Sequence, residues 1–395
     1  RLCPTPQITD WVRTRERPLV TTFHPTTDSY RAGARTMPGE YYTSDAILRE
    51  EQERVFASQW ICVGRESDIA EPGAFVLADV AGESIIIVRD RGSESKVRAF
   101  YNVCRHRGTR VCAETSGRFG ETIQCPYHAW TYRLDGRLTG APHMSETEGF
   151  SMADYPLHAA RLEHWEGFLF VNLSAAPEPF AELFAPMHER FSRFNLASLR
   201  TVRRIDYDVN ANWKLVMQNY SECLHCPTIH PELTTKLPYT SGANDLTEGA
   251  FLGGYMEIKA PHESATMSGR SCALPLGDLP DADRGRAYYY TLFPSMMLSI
   301  HPDYAVFYSV RPVAADRTAV RCEWMVHPDA PAAAGYNIAD AEEFWDRTNR
   351  QDWDICERSQ AGVSSRVYAP GPYSPRESIP AAWDREYLRV MSGNL

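Results

Sequence analysis

Two short motifs that pair a cysteine with a histidine are the first residues in this chain whose types and spacing indicate chemistry. One residue separates Cys104 from His106, and two residues separate Cys125 from His128. Each motif therefore offers one thiolate and one imidazole. Together they could hold zinc tetrahedrally, or they could hold a Rieske 2Fe–2S cluster with the thiolates on one iron and the imidazoles on the other.

The details of the two motifs favour the cluster. Their pattern is Cys-x-His with Cys-x-x-His, rather than Cys-x-x-Cys with a separate histidine pair. Gly108 follows the first motif and Pro126 lies within the second, so we expect each pair on a tight turn between strands. Two such hairpin tips could clamp a cluster between them. Cys112 has no matching partner, and we expect it to be buried and structural.

A second candidate metal site lies in residues 212–231. His225 and His230 are five residues apart, so on a regular helix their side chains would point about 140° away from each other. Pro227 predicts a break in the helix that would let both imidazoles reach one metal ion. With a distant carboxylate, two imidazoles would form the facial triad of a non-haem Fe(II) oxygenase, which leaves positions open for O2.

The cysteines outside these motifs leave one alternative open. Ten cysteines in 395 residues are too sparse for the disulfide framework of a small secreted protein. We therefore expect reduced thiols and metal ligands in a cytoplasmic protein. A rival interpretation of the second site places zinc on Cys223, His225 and Cys226, although no second thiol pair accompanies them.

Composition excludes several classes of protein. Hydrophobic residues make up 43% and charged residues 23% of the chain, which is ordinary for a globular protein and unlike a disordered one. The net charge of −10 argues against nucleic acid as the main partner, because phosphate binding requires a basic surface. No run approaches the roughly 18–20 apolar residues of a membrane span, and the N-terminus lacks the apolar core of a signal peptide.

The elements that must position these residues divide the chain into three parts. Residues 1–60 are predicted to form an irregular lead-in and a helix that is capped near Ser44 and reaches Trp60. Short strand-like runs separated by Gly, Pro and Asp predict a small all-β domain at 61–172. Residues 173–395 are predicted to form a larger domain of helices and strands.

The larger domain is predicted to contain an antiparallel sheet, because the gaps between its strand candidates are too short for crossover helices. The candidates lie at residues 201–209, 288–292, 296–300, 304–310 and 319–326. One helix is predicted to start near Asn212, and a final helix to run from about Ala339 to Ala361. The whole chain is therefore predicted to be of the α+β class.

Residues 101–108 (YNVCRHRG) and 125–132 (CPYHAWTY) resemble the Rieske domain of the Rieske non-haem iron oxygenases. The resemblance extends over nearly the whole chain. It implies a Rieske domain at 61–172 whose 2Fe–2S ligands are Cys104, His106, Cys125 and His128. It also implies a helix-grip catalytic domain at 173–395 that holds a mononuclear Fe(II) and uses O2.

The same resemblance implies the remaining site residues. The family's aspartate ligand lies eight residues before a glutamine, and counting back from Gln360 gives Asp352, with Asp354 as second choice. A carboxylate in the family bridges the two metal centres across a subunit boundary, and Glu222 stands at that position. His128 of one subunit, Glu222 and His225 would then lie in line within a head-to-tail homotrimer.

Residues 37–42 (MPGEYY) and 60–65 (WICVGR) resemble the oxygenases that demethylate glycine betaine and stachydrine. The resemblance implies hydroxylation of an N-methyl group and release of formaldehyde. A quaternary ammonium site requires aromatic faces. The candidates for such a cage are Tyr220, Phe293, Tyr304 and Phe307, while His301 could lie in the pocket or in the core.

Electrons are expected from a separate flavin/iron–sulfur reductase that oxidises NAD(P)H, because the chain carries no dinucleotide-binding glycine motif after a strand. Two alternatives remain open at this point. One is an oxygenase of the same family that hydroxylates aromatic rings. The other is a Rieske electron carrier or regulatory binding protein without chemistry of its own.

Overall fold

The computed structural model describes residues 22–393 of the chain. After the short strand β1 (His24–Pro25), three small antiparallel sheets occupy residues 61–172, and their orders are β5-β4-β3-β6, β7-β8-β9 and β10-β11-β2. Their strands are β2 (Ile61–Arg65), β3 (Ala74–Val80), β4 (Glu83–Arg89), β5 (Val97–Tyr101), β6 (Ser116–Arg118), β7 (Thr122–Gln124), β8 (Thr131–Arg133), β9 (Leu138–Gly140), β10 (Arg161–Trp165) and β11 (Phe168–Asn172). The β character predicted for this region is confirmed.

The apolar run in β4 shows how these sheets join the rest of the molecule. Successive side chains of a strand point to opposite faces. Ile85 and Ile87 pack into the main core, whereas Ile86 and Val88 pack into a smaller core that also contains Cys104 and Cys125. A continuous apolar strand is therefore required, because both of its faces are buried.

A single antiparallel sheet dominates the remainder of the chain. Its order is β1-β13-β14-β15-β16-β17-β18-β12, and every neighbouring pair is antiparallel. The strands after β11 are β12 (Arg200–Val209), β13 (Ala243–Leu246), β14 (Phe251–Glu257), β15 (Arg286–Leu292), β16 (Met296–Ile300), β17 (Ala305–Ala314) and β18 (Arg317–Val326). The predicted α+β class and antiparallel sheet are confirmed, while β13 and β14 were not predicted.

Helices pack against both faces of this sheet. They are α1 (Glu40–Thr43), α2 (Asp45–Glu51), α3 (Phe180–Leu183), α4 (Trp213–Tyr220), α5 (Cys226–Ile229), α6 (Pro231–Lys236), α7 (Asp281–Arg284), α8 (Ile338–Val363) and α9 (Ser378–Met391). The side chains of Val306 and Tyr308 in β17 share a core with α4, α8 and α9, whereas Phe307 packs on the opposite face against β11. No helix within residues 22–393 is both long and apolar enough to cross a membrane.

Two helix predictions are corrected. The N-terminal helix begins at the predicted cap, where the Ser44 hydroxyl accepts from the Ile47 N–H, but it ends in a π-helical turn at Phe56 rather than at Trp60. Also, α8 is not the last helix, because α9 follows it. Pro380 obscured this helix in the sequence; it lies in the first turn, where its missing N–H costs no helical hydrogen bond.

Candidate metal centres

A break in the chain after α4 presents both predicted histidines to one point. Helix α4 ends at Tyr220, and the single-turn helix α5 has His225 at its N-terminal boundary and His230 immediately after its last residue. Their Nε2 atoms lie 3.2 Å apart. Pro227 is not the break itself, since it occupies the first turn of α5; the chain leaves helical geometry before His225 and again at His230.

Helix α8 brings the carboxylate to the same point. The Oδ1 atom of Asp352 lies 2.9 Å from Nε2 of His230 and 3.3 Å from Nε2 of His225. Asp354 lies elsewhere on the helix, where it is exposed and pairs with Arg358 at 2.9 Å. His225, His230 and Asp352, called the His–His–Asp site below, thus offer three converging ligand atoms of the kinds that suit Fe(II).

The outer nitrogen of each imidazole is also bound. Nδ1 of His225 lies 2.6 Å from Oε1 of Glu222, and Nδ1 of His230 lies 2.8 Å from Oε1 of Gln351. Because an acceptor at Nδ1 holds the proton there, Nε2 is left free to face a metal ion. Gln351 was missed in the sequence, although its position directly before Asp352 on the same helix was a usable signal.

The charges of this site favour a cation. Burial lowers the pKa of His225, but hydrogen bonds with Asp352 and Glu222 outweigh burial and raise that pKa to about 10. Burial alone would raise the pKa of Asp352, yet hydrogen bonds with His225 and His230 hold it below its ordinary value. Asp352 therefore stays ionised and offers a negative charge to a divalent cation.

The cysteines next to His225 do not form a zinc site here. Cys223 and Cys226 are joined by a disulfide, with their Cα atoms 4.9 Å apart. The Sγ atom of Cys226 lies 3.9 Å from Nε2 of His225, but a disulfide sulfur is not the thiolate that zinc requires. The expectation of reduced thiols was wrong for this pair.

The four residues of the two Cys/His motifs, called the Cys–His site below, are presented by two loops. In the first loop, the Cys104 N–H donates to the Thr109 carbonyl at 2.8 Å, and Gly108 adopts a φ of +77° that favours glycine. In the second loop, between β7 and β8, the Cys125 N–H donates to the Trp130 carbonyl at 2.8 Å. Both loops thus close tightly around their ligand residues.

Within the Cys–His site the sulfurs lie inside and the imidazoles outside. Cys104 and Cys125 are each 3% exposed, and burial together with the neighbouring Cys104 thiol raises the pKa of Cys125. The rings of His106 and His128 lie 4.8 Å apart, and His106 is exposed. This division between two buried thiols and two outward imidazoles fits a cluster whose two irons have different ligands.

Two aromatic residues that sequence reasoning missed support the Cys–His site. The hydroxyl of Tyr132 lies 3.4 Å from Sγ of Cys104 and accepts from the Arg105 N–H at 3.0 Å. The ring of Trp130 stacks on His106, with centroids 4.9 Å apart. Cys112 is buried, as expected of a structural residue, and its thiol donates to the Glu114 carbonyl at 3.5 Å.

Glu222 has both carboxylate oxygens engaged locally. Oε1 bonds His225, and Oε2 accepts from the backbone N–H groups of Leu224 and His225. Among the contacts described within residues 22–393, His128 touches His106 and Tyr127 but not Glu222. His128 and Glu222 are therefore not in contact within one copy of the described residues.

An open cleft adjoins the His–His–Asp site, and the empty space in it and in the solvent at its mouth is about 950 Å³. Of the aromatic residues predicted to form a cage, Tyr220 lines the cleft. Phe293, Tyr304 and Phe307 are buried outside it, so their prediction was wrong, and His301 is also in the core. The aromatic residues that do line it with Tyr220 are Tyr239, Tyr255, Tyr289 and Trp345.

Family models match the two parts of the chain that contain these sites. The model of the Rieske [2Fe-2S] domain matches residues 59–156, and the model of the ring hydroxylating alpha subunit catalytic domain matches residues 196–393. The chain belongs to the Rieske non-haem iron oxygenases. This Rieske oxygenase is therefore an enzyme, and the alternative of an electron carrier without catalysis is wrong.

Several relatives are named for an activity. The glycine betaine monooxygenase oxygenase subunit of Chromohalobacter salexigens is 30% identical over 376 residues, covering 87% of this chain and 83% of that protein. The carnitine monooxygenase oxygenase subunit of Acinetobacter baumannii is 37% identical over 198 residues, covering 50% of this chain and 53% of that protein. The solved structure of a quaternary ammonium Rieske monooxygenase with L-carnitine has a TM-score of 0.74 at 25% identity, and the match covers 90% of this chain and 96% of that chain. These similarities identify the Rieske oxygenase as a monooxygenase alpha subunit.

Proposed function

We propose that this Rieske oxygenase hydroxylates an N-methyl group of a quaternary ammonium substrate of the glycine betaine or stachydrine type. The observation that carries the proposal is the aromatic lining of the cleft beside the His–His–Asp site, formed by Tyr220, Tyr289 and Trp345. A quaternary ammonium ion has no N–H to donate, so it binds to aromatic faces rather than to hydrogen-bond acceptors. The relatives that act on glycine betaine and carnitine support the same substrate class.

The donor sets of the two sites indicate which residues would hold the metals. Cys104, His106, Cys125 and His128 would hold the 2Fe–2S cluster, and the His–His–Asp site would hold the mononuclear iron. When bound, these groups supply single electrons and activation of O2, which is chemistry that no side chain can provide. The domain boundaries at residues 60/61 and 172/173 remain part of this proposal.

The chain's own residues position these groups and the substrate. Glu222 and Gln351 each accept the Nδ1 proton of one imidazole and so fix its orientation. We place Glu222 between His225 and the His128 of a neighbouring subunit in a head-to-tail homotrimer. The aromatic walls of the cleft hold the cation with one N-methyl group towards the His–His–Asp site.

The overall reaction consumes one O2, two electrons from NAD(P)H and two protons. One oxygen atom enters a C–H bond of the N-methyl group, and the other leaves as water. The N-hydroxymethyl product then breaks its C–N bond, giving formaldehyde, a proton and the demethylated amine. We infer that a separate flavin/iron–sulfur reductase delivers the electrons, and that the system works in the cytoplasm.

Product analysis tests the proposal. The purified oxygenase, with a reductase and NADH, is incubated with glycine betaine, stachydrine and a panel of aromatic acids. We expect one formaldehyde for each N-methyl compound consumed and no product from the aromatic acids. A cis-diol or phenol from the aromatic panel, without formaldehyde from the N-methyl compounds, would contradict the proposal and favour ring hydroxylation.

A further inference from the structure

The cleft has a cationic side chain with no assigned role. Arg376 lines it, in the turn 375–377 that leads into α9. Besides the two imidazoles of the His–His–Asp site, it is the one basic residue among the lining residues described within 22–393. We propose that Arg376 binds a carboxylate of the substrate, so that the enzyme selects zwitterionic quaternary ammonium compounds over purely cationic ones. This inference rests on the proposed function.

The guanidinium of Arg376 is available for such a contact. Across residues 22–393, no ion pair or hydrogen bond of the Arg376 side chain is found, and the side chain is exposed. Its one described contact is with the face of Tyr239, 5.4 Å from the ring centroid. The adjacent Glu377 is occupied, since its Oε2 accepts from the Ser374 N–H at 2.8 Å. A ligand carboxylate would therefore not have to displace an internal partner.

The side chains that line the cleft differ between its two ends. At the inner end, His230 is 1% exposed, and the rings of Tyr220 and Trp345 each lie 6.3 Å from the ring of Tyr289. At the outer end, the guanidinium of Arg376 lies over the ring of Tyr239, and Asn244 donates to the Thr26 hydroxyl at 3.2 Å. Aromatic faces inside and a guanidinium outside match a molecule with a cation at one end and an anion at the other.

Binding measurements can test this assignment without relying on turnover. Metal-loaded enzyme, kept oxidised and without reductase, is titrated calorimetrically with glycine betaine, γ-butyrobetaine and choline. All three carry a trimethylammonium group, but choline has a hydroxyl in place of the carboxylate. We expect wild type to bind at least one carboxylate compound about tenfold more tightly than choline, because a charge-assisted bidentate contact is lost with choline.

Substitution of Arg376 should remove that preference alone. In Arg376→Gln the affinity for the carboxylate compounds should fall about tenfold while the affinity for choline changes less than about twofold. Arg376→Lys should retain part of the preference, because it keeps the charge without the planar fork. Arg366→Gln, a change at another exposed arginine that does not line the cleft, is the matched control and should behave as wild type.

The outcomes separate this inference from the proposed reaction. Unchanged affinity of Arg376→Gln for the carboxylate compounds, or a wild type that binds none of them more tightly than choline, overturns the role of Arg376. Binding that depends on Arg376 without formaldehyde release under turnover conditions sustains that role and overturns the proposed demethylation. The compound that binds most tightly also reports how far the carboxylate must reach from the cation.

Discussion

The two metal centres of this chain are built in opposite ways. The Cys–His site comes from two tight loops of the small sheets, with ligands inside a span of 25 residues from Cys104 to His128. The His–His–Asp site joins the turn around α5 to helix α8, and Asp352 is 122 residues from His230. A site made of local turns depends mainly on local sequence, whereas a site joined by packing depends on the fold of the whole domain.

The exposure of the ligand residues also differs between the two centres. His106 of the Cys–His site is exposed, and its support is stacking on Trp130. At the His–His–Asp site both imidazoles have hydrogen-bonded outer nitrogens, and His230 is 1% exposed. The first centre is accessible to another protein surface, and the second is enclosed beside the cleft. We therefore expect substitutions at one centre to leave the other intact.

Asp352→Ala should have the largest effect. Removal of one of three ligands should abolish binding of the mononuclear iron and reduce turnover below about 1% of wild type. The visible spectrum of the cluster should remain, because no Cys–His residue is touched. Metal analysis and absorbance measure both effects. Asp354→Ala, on the exposed face of the same helix, is the control; loss of iron in that variant instead would assign the ligand to Asp354.

Glu222→Gln should separate metal binding from electron transfer. The amide oxygen can still accept from Nδ1 of His225, so both metals should stay bound. The amide NH2 cannot accept from the Leu224 and His225 N–H groups, and the charge of the bridge is lost, so turnover should fall about 10- to 100-fold. Metal content, the cluster spectrum and the rate of cluster oxidation by O2 with substrate are the measurements. Glu232→Gln, which affects a surface pair with Arg347, should remain active. Normal turnover of Glu222→Gln would refute the bridge.

Gln351→Ala should weaken metal binding at the His–His–Asp site only. Loss of the acceptor for Nδ1 of His230 should lower the affinity for the mononuclear iron about 10- to 100-fold without changing the cluster spectrum. Competition with a chelator measures that affinity. Gln351→Glu restores an acceptor and should recover most of it; equal iron affinity in wild type and Gln351→Ala would show that the contact has no role in binding.

Tyr132→Phe should produce the smallest change, and we expect that change at the Cys–His site. The variant loses the hydroxyl beside Sγ of Cys104, and a lost hydrogen bond to a cluster sulfur lowers the reduction potential. Redox titration followed by absorbance should show the downward shift while the content of mononuclear iron stays the same. A potential equal to that of wild type would mean that the hydroxyl does not bond the cluster.

The two centres also differ in how much of them the sequence could predict. The Cys–His motifs are local, so their spacing alone suggested a cluster. The partner carboxylate of the two histidines could be chosen only through a family resemblance, because spacing does not show which distant residue packs nearby. Gln351 escaped for the same reason, because its contact with His230 arises from tertiary packing. Helix α9 escaped because Pro380 in its first turn obscured the helical pattern.

The aromatic residues of the cleft show most clearly what the sequence could not predict. Tyr288, Tyr289 and Tyr290 are consecutive in β15, yet only Tyr289 lines the cleft, because neighbouring side chains of a strand face opposite sides of the sheet. Phe307 was predicted for the cage but faces away from it. Composition predicted that an aromatic site could exist; the register of the sheet determined which rings form it.

The most direct test of two separate iron centres is iron analysis of the purified wild-type protein combined with its absorbance and electron paramagnetic resonance spectra. The account predicts about three irons per chain, the spectra of a Rieske cluster, and loss of about one iron without loss of those spectra in Asp352→Ala. A colourless protein that contains zinc instead of iron would contradict it.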